Sequence, residues 1–274
     1  MRRATVTDEI AASTRLAATL GLSSEKPIIL HQGHHTSIRF GEVVARIQSA
    51  APTIAALNTA QRELTVAAHL AARFAPTLPP LLPVLAGPYV TAAGVLTFWP
   101  FIAARPATVS TGRAAANSLA AVHRAFADYS GYLPPYTDAL DRASAALAST
   151  ACDLRVEDRM LLIGQLDRLR RVIATADISA VPLHGDIHLG NILVTANGLS
   201  WLDFEDACRG PRELDFAGLP RDAWPCDADA ALLRAAADLK SVTVAIWCTA
   251  EPNRSAAVRQ AGAYHLRRVR RFAR

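Results

Sequence analysis

The chain has 274 residues, of which 51% are hydrophobic and 19% are charged, and its formal net charge is +5. Alanine contributes 55 residues, which favours helix over sheet and leaves enough larger apolar side chains for a packed core. No apolar run approaches the roughly 18 residues that a membrane span needs, and Asp8 and Glu9 stand where a secretory signal would be apolar. We therefore expect a cytoplasmic protein without a membrane segment.

The cysteines and the basic tail exclude two further classes. The four cysteines are widely spaced and form no C-x-x-C pair, which indicates free thiols rather than a disulfide frame or a zinc ribbon. Five arginines lie within residues 265–274, where the helix dipole favours a cationic last turn. We therefore expect no nucleic-acid partner.

The first hundred residues are predicted to form a small sheet that carries helices. The predicted elements are a helix over 7–20, β-type runs at 28–30, 37–40 and 42–47, a helix from an N-cap at Asn58 to Phe74, and apolar runs at 81–85 and 95–98.

The remaining residues are predicted to be mostly helical, after a connector over 99–106. The predicted helices cover 110–126, 138–148, 157–176, 228–250 and 255–272, with one β-like interruption over 181–204. Strands first and helices later predict an α+β fold of two lobes, residues 1–99 and residues 100–274, with a ligand site in the cleft between them.

The segment LHGDIHLGNILV, residues 183–194, carries the most chemistry. Its polar side chains stand between apolar flanks that are expected to anchor it in the core. Asp186 and Asn191 are five residues apart, which is the spacing in the catalytic loop of protein kinases. The segment therefore indicates phosphoryl transfer.

A third polar residue, Asp203, follows Asn191 after twelve residues. This distance suits a hairpin over residues 192–202 with its turn at an Asn-Gly pair. The hairpin brings Asn191 and Asp203 together as oxygen ligands for Mg²⁺, and Asp186 beside the metal accepts a proton from a substrate hydroxyl.

A zinc site is the alternative for the same segment, because His184 and His188 are four residues apart. Gly185 is a poor residue for the interior of a zinc-binding helix, and no Glu follows the first His. A zinc hydrolase is therefore disfavoured.

The motifs HGDIHLGN and WLDFEDACRGPRELDFA resemble the aminoglycoside phosphotransferase family, which consists of small-molecule kinases. The family pattern H-G-D-x-H-x-x-N matches residues 184–191 without a gap. The resemblance implies a two-lobed, protein-kinase-like fold, with a small N-terminal antiparallel sheet and a larger, mostly helical C-terminal lobe.

The resemblance also implies roles for individual residues. Asp186 would be the catalytic base, His188 would help to hold the loop, Asp215 would be the buried acid that braces it, and Asn191 and Asp203 would be the metal ligands.

The N-terminal part offers residues for a nucleotide. In a kinase-like lobe the third strand carries a small apolar residue over the base and, two positions later on the same face, a lysine that holds the phosphates. Val44 and Arg46 stand in this relation, with Arg in place of Lys, and Glu63 is the predicted partner of Arg46. The family's hinge falls at Phe98 and Trp99, whose backbone would bind the base.

The predicted phosphate loop, residues 32–37, contains one glycine in place of the G-x-G-x-x-G pattern, and His34 and His35 are read as polar loop residues.

The sequence leaves two candidate functions. The first is an ATP- or GTP-dependent kinase that requires Mg²⁺ and phosphorylates an alcohol group of a small molecule. The second, suggested by Arg46 and the glycine-poor loop, is a nucleotide-binding pseudokinase without phosphotransfer.

The acceptor stays open at the level of the sequence. Aminoglycosides are the first acceptors that the resemblance implies, and a polycation prefers an acidic pocket. The candidates for such a pocket are Asp138, Asp141, Asp222, Asp227 and Asp229, which would otherwise be ordinary surface charges.

Overall fold

The structure, a computed structural model, describes residues 4–23, 25–33, 35–48, 52–149, 152, 154–176, 178–250 and 255–274. It contains two compact units. Unit 1 comprises Met1–Thr108, Asn117–Tyr132 and Leu189–Ala207, and unit 2 comprises Val109–Ala116, Leu133–His188 and Cys208–Arg274. The predicted division into residues 1–99 and 100–274 concerns where nucleotide and acceptor bind, and it stays a prediction.

The elements follow the predicted order. The helices are α1 (Val6–Thr19), α2 (Ile54–Ala72), α3 (Pro83–Ala86), α4 (Gly112–Phe126), α5 (Thr137–Ala148), α6 (Val156–Ala174), α7 (Glu213–Phe216), α8 (Ala230–Thr249) and α9 (Ala256–Phe272). The strands are β1 (Ile28–Gln32), β2 (His35–Phe40), β3 (Val43–Gln48), β4 (Tyr89–Thr91), β5 (Gly94–Pro100), β6 (Arg105–Pro106), β7 (Val181–Leu183), β8 (Ile192–Thr195), β9 (Gly198–Trp201) and β10 (Cys208–Gly210).

Unit 1 contains a five-stranded antiparallel sheet with the strand order β1-β2-β3-β5-β4. Every second residue of β2 and β3 is buried, as expected for strands whose successive side chains point to opposite faces. The buried set packs with α1 in one apolar cluster that includes Ile38, Ala45 and Phe98. The other face of β3 therefore presents Val44 and Arg46.

Two sequence predictions for unit 1 are wrong. Helix α2 begins after Thr53, whose side chain accepts a hydrogen bond from the backbone N–H of Ala56, so the predicted N-cap Asn58 lies inside the helix. The apolar run at 81–85, expected in the sheet, contributes to the short helix α3, where Pro83 occupies the first position. The first error arose because Thr53 precedes the apolar pattern, and the second because Pro83 begins a helix inside the apolar run.

The predicted hairpin is present in unit 1. Strands β8 and β9 pair antiparallel from Ile192↔Trp201 to Thr195↔Gly198, and β6 pairs with β8 on the other side. Gly198 has a φ of +110°, which glycine adopts at little cost. At the open end of the hairpin, beyond the pair Ile192↔Trp201, the N–H of Leu202 donates to the carbonyl of Asn191. The hairpin therefore continues to the residue before Asp203.

Unit 2 is held together by four helices. Helices α5, α6, α8 and α9 share an apolar cluster that includes Leu147, Leu166, Val242 and Val269. The basic end of α9 is tied to this bundle, because Arg270 and Arg155 both donate to the buried carboxylate of Asp158. The predicted helices of this part are present, with bounds that differ by two residues or fewer. No helix of the described residues is long and apolar enough to cross a membrane.

Candidate active site

Arg46 forms the centre of a charged cluster in unit 1. It lies on the face of β3 opposite the apolar cluster, where α2 contributes the buried carboxylate of Glu63. Nη1 of Arg46 donates to Oε1 of Glu63, and their side chains are only 13% and 4% exposed. The structure therefore contains the predicted pair.

Arg46 also contacts the segment that follows the hairpin. Its Nη2 donates to Oδ1 of Asp203 at 2.6 Å and lies 3.7 Å from Oε1 of Glu205. Asp203 has a φ of +68°, a left-handed conformation that Asp tolerates better than most residues. This conformation turns the chain from β9 into the short 3₁₀ helix Phe204–Asp206. One guanidinium thus contacts three carboxylates.

Burial and neighbouring charges both act on the pKa values in this cluster. Burial lowers the pKa of Arg46, but its three carboxylate neighbours outweigh burial and raise the pKa above the ordinary value. Burial also raises the pKa of Glu63, and the other two carboxylates add to this effect while Arg46 opposes it. For both groups burial is the first cause, and the charges of the neighbouring side chains come after it.

Further contacts fix Glu205. Nε2 of His35 on β2 lies 2.6 Å from Oε2 of Glu205, and Nη2 of Arg62 donates to its backbone carbonyl at 2.7 Å. The sequence interpretation of His35 as a polar loop residue missed this contact, since nothing local to β2 indicates a partner 170 residues away. His34, the other histidine of that prediction, lies outside the described residues.

The predicted base-binding residues lie on neighbouring strands. Val44 is paired with Trp99 across β3 and β5, and Ala45 is paired with Phe98. Phe98 is fully buried and its side chain packs in the apolar cluster with α1, so this side chain is not available to a ligand. Strand β4 pairs with β5 only as far as Leu96, and among the described residues no strand borders the rest of β5 on that side.

The proposed metal ligands of unit 1 come from both ends of the hairpin. Asn191 ends the 3₁₀ turn Leu189–Asn191 and is 7% exposed, and its carbonyl accepts from the residue before Asp203. A carboxylate and an amide supply the oxygen donors that Mg²⁺ prefers, with phosphate oxygens and water completing the shell. The described residues contain no group of three or more His, Cys, Asp or Glu side chains arranged for a metal. Such a group is not required by a site of one carboxylate and one amide.

The first part of the catalytic-loop motif, residues 184–188, lies in unit 2, directly after β7. Asp215, which is 1% exposed, accepts from the backbone N–H of His184 at 2.9 Å and from that of Gly185 at 3.0 Å. Gly185 has a φ of +89°, which a residue with a Cβ rarely adopts. Asp215 thus contacts the loop as the resemblance implies.

Asp186 is the exposed acid of this loop. Its side chain is 43% exposed, Oδ2 lies 3.3 Å from Nε2 of His188, and Oδ1 lies 3.3 Å from Nζ of Lys240. Burial raises the pKa of Asp186, but the hydrogen bond from His188 and the charge of Lys240 outweigh it and hold the pKa well below its usual range. Asp186 is therefore an ionised hydrogen-bond acceptor at neutral pH.

Sequence reasoning did not single out Lys240 or Gly218. Lys240 is one of only two lysines in a chain with 27 arginines, and it lies in the apolar helix α8. This unusual residue in an apolar helix could have marked it in the sequence as a candidate functional residue. Gly218 lies so close to the loop that a Cβ there would be 2.0 Å from the carbonyl oxygen of Ile187. Only glycine permits this approach.

The predicted site residues fall in both units. Unit 1 contains the contacting residues Arg46, Glu63 and Asp203, and unit 2 contains Asp186 and His188. The predicted grouping of Asp186 with Asn191 and Asp203 draws on both units and stays a prediction.

The chain belongs to the phosphotransferase enzyme family. The model of that family matches residues 34–265, which include the charged cluster and the catalytic-loop motif. This match confirms the resemblance stated from the motifs and the predicted enzyme class. No curated protein is significantly similar in sequence.

Solved structures confirm the predicted fold class. A choline/ethanolamine kinase family protein from Mesorhizobium loti is 17% identical with a TM-score of 0.63, over 98% of this chain and 95% of that chain. The amicoumacin kinase hAmiN, in complex with AMP-PNP, Ca²⁺ and Ami, is 11% identical with a TM-score of 0.66, over 98% and 96%. The GDP complex of aminoglycoside 2'-phosphotransferase-IIIa is 14% identical with a TM-score of 0.64, over 95% and 97%.

Replacing Gly218 with alanine is expected to displace the catalytic loop. The Cβ would overlap the carbonyl of Ile187, so we expect Gly218→Ala to lower the free energy of unfolding by about 1–3 kcal/mol. A displacement of the loop is expected to reduce kcat by about 100-fold. Urea unfolding and steady-state kinetics measure the two effects.

Gly164→Ala is the matched control, because Gly164 lies inside α6 with no atom within 4 Å of the added Cβ. It should raise stability by about 0.5–1 kcal/mol and leave kcat unchanged. Equal unfolding free energies and equal kcat values for Gly218→Ala and Gly164→Ala would contradict the close contact between Gly218 and Ile187.

Proposed function

We propose that the chain transfers the terminal phosphate of ATP or GTP to a hydroxyl of a small molecule, in a reaction that requires Mg²⁺. The observation that carries this proposal is the contact of Arg46 with both Glu63 and Asp203, in a chain of the phosphotransferase enzyme family. This contact joins the strand, the helix and the post-hairpin segment that kinase chemistry requires to act together.

Unit 1 would hold the nucleotide. Val44 would pack over the base, and backbone groups at Phe98 and Trp99 would bind its edge, which is supported by the unpaired side of β5. Arg46 would contact phosphate oxygens, and Glu63 would hold its guanidinium in place. Arginine keeps its charge and can bind phosphate through two N–H groups, so it is a suitable replacement for lysine.

Asn191 and Asp203 would hold Mg²⁺. The proposal of a divalent cation is supported by the carboxylate and amide oxygens of these two side chains, which are the donors that Mg²⁺ prefers. When bound, Mg²⁺ neutralises charge on the transferring phosphate.

Asp186 would orient the acceptor and take its proton. The hydroxyl oxygen forms a bond to the terminal phosphorus, the bond from that phosphorus to the bridging oxygen breaks, and the nucleoside diphosphate leaves. The low pKa of Asp186 makes it a weak base, but phosphoryl transfer depends more on positioning than on basicity. His188 and Asp215 would keep the loop in place.

The pseudokinase alternative is not favoured. It was suggested by Arg46 in place of lysine, yet Arg46 makes the ion pair with Glu63 that this position requires. The family match is to enzymes.

We infer that three of the five acidic residues considered for an acidic pocket serve other contacts. Of the five acidic residues proposed for an acidic pocket, Asp141 pairs with Arg170, Asp227 pairs with Arg212, and Asp229 caps α8. These engaged carboxylates are poor candidates for binding several ammonium groups.

The chain is proposed to act in the cytoplasm and without nucleic acid. The four cysteines are free thiols in the structure, which suits a reducing compartment. Part of the basic tail is already neutralised, since Arg270 contacts Asp158 and Arg268 contacts Asp238.

Removing the carboxylate of Asp186 tests the proposed reaction. Asp186→Ala should lower kcat by about 100-fold or more because no group then accepts the proton of the hydroxyl. The control is Asp167→Asn, which removes an exposed carboxylate from α6. Full phosphotransfer by Asp186→Ala, measured as nucleoside diphosphate formed, would refute the role.

A magnesium titration tests the proposed metal ligands. Asn191→Ala and Asp203→Ala each remove an oxygen donor, so the Mg²⁺ concentration at half-maximal activity should rise by about tenfold or more. Asp167→Asn should keep the wild-type midpoint. Unchanged midpoints in both ligand variants would show that the metal is held elsewhere.

A further inference from the structure

Lys240 makes two contacts with the catalytic loop of unit 2. It lies on α8, with its side chain 24% exposed, and its Nζ lies 3.3 Å from Oδ1 of Asp186. The same Nζ donates to the backbone carbonyl of Ile187. The ammonium of Lys240 therefore contacts both the carboxylate of Asp186 and the carbonyl of the next residue, Ile187.

These contacts complement those of Asp215. Asp215 of α7 accepts two backbone N–H groups from the residues before Asp186, so it fixes the start of the loop but not the carboxylate itself. Lys240 fixes that carboxylate and the next carbonyl from another helix. The loop is thus held by the anion of Asp215 at residues 184–185 and by the cation of Lys240 at residues 186–187.

The two oxygens of Asp186 have different neighbours. Oδ1 faces Lys240 on α8, and Oδ2 faces His188 in the loop. A carboxylate oxygen accepts more than one hydrogen bond, so each contact leaves capacity for the hydroxyl of an acceptor. With both oxygens restrained, the carboxylate cannot rotate freely about its Cβ–Cγ bond.

Other ionisable groups of α8 and α9 lie near Lys240. His265 on α9 has a pKa that is lowered by burial first and by the charges of Arg268 and Lys240 second. Its Nδ1 is buried and has no hydrogen-bond partner among the described residues. Asp238, the nearby acid on α8, contacts Arg268. The carboxylate that Lys240 contacts directly is therefore that of Asp186, the proposed catalytic base.

We propose that Lys240 is a positioning residue that fixes the Asp186 carboxylate and the Ile187 carbonyl in the geometry required for phosphoryl transfer. This inference rests on the proposed function. Lys240 acts through Asp186 and does not touch the reacting atoms. Its ammonium is a compact charge with three donors, whereas the larger, planar guanidinium of arginine is expected to replace it only in part.

The test compares Lys240→Met with Arg234→Met, which removes an exposed cation from the same helix. Lys240→Met should lower kcat by about 100-fold, because a displacement of about 1 Å at the reacting group has that effect. The KM values for nucleotide and acceptor should stay near those of the wild type, because Lys240 binds neither. Lys240→Arg should recover part of the lost kcat, and Arg234→Met should retain full activity.

A double variant separates positioning from a general structural role. If Lys240 acts through Asp186, adding Lys240→Met to Asp186→Ala should cause no further loss of the residual activity. A structural role predicts a further loss of similar size. Thermal unfolding checks the fold, and Lys240→Gln carries the test if Lys240→Met unfolds below Arg234→Met.

The outcomes distinguish the two proposals. Wild-type protein without phosphotransfer overturns the proposed function and the role of Lys240 with it. Active wild-type protein with unchanged kcat in Lys240→Met, or with raised KM values alone, overturns the positioning role and leaves the proposed function in place.

Discussion

The sharing of one guanidinium among three carboxylates is the constraint on which unit 1 depends. Arg46 joins β3 to α2 through Glu63 and to the post-hairpin segment through Asp203. Burial of charges costs several kcal/mol per ion, and apolar replacements of buried ion pairs are often at least as stable. Stability alone therefore does not account for this cluster. The proposed function gives a reason for it, because Asp203 would hold a divalent metal and Arg46 would contact phosphate oxygens.

In unit 2 the restraints act mainly on the backbone of one loop. Asp215 accepts two of its N–H groups, Lys240 binds its carboxylate and one carbonyl, and Gly218 allows the chain to pass against that carbonyl. Under the proposed function, preorganised polar contacts of this kind would let a weak base work, because the geometry is fixed before the substrate arrives. The acid itself stays 43% exposed, and so it remains open to a ligand.

The local sequence pattern predicted much of this arrangement. The alternation of β3 placed Val44 and Arg46 on one face, and the hairpin followed from residue spacing and an Asn-Gly turn. Contacts between distant residues were harder to predict. His35 and Lys240 meet partners on other elements, and neither lies in a local motif that indicates a contact. The start of α2 was predicted too late because Thr53 lies outside the apolar periodicity.

Phosphorus NMR of the whole reaction tests the central claim most directly. The wild-type chain would be incubated with ATP or GTP and with sugars, amino alcohols or aminoglycosides, with and without Mg²⁺. We predict a new phosphate monoester resonance that appears with at least one acceptor, grows as the terminal phosphate signal of the nucleotide declines, and requires Mg²⁺. Release of inorganic phosphate alone, or no consumption of nucleotide with any acceptor, would contradict the account.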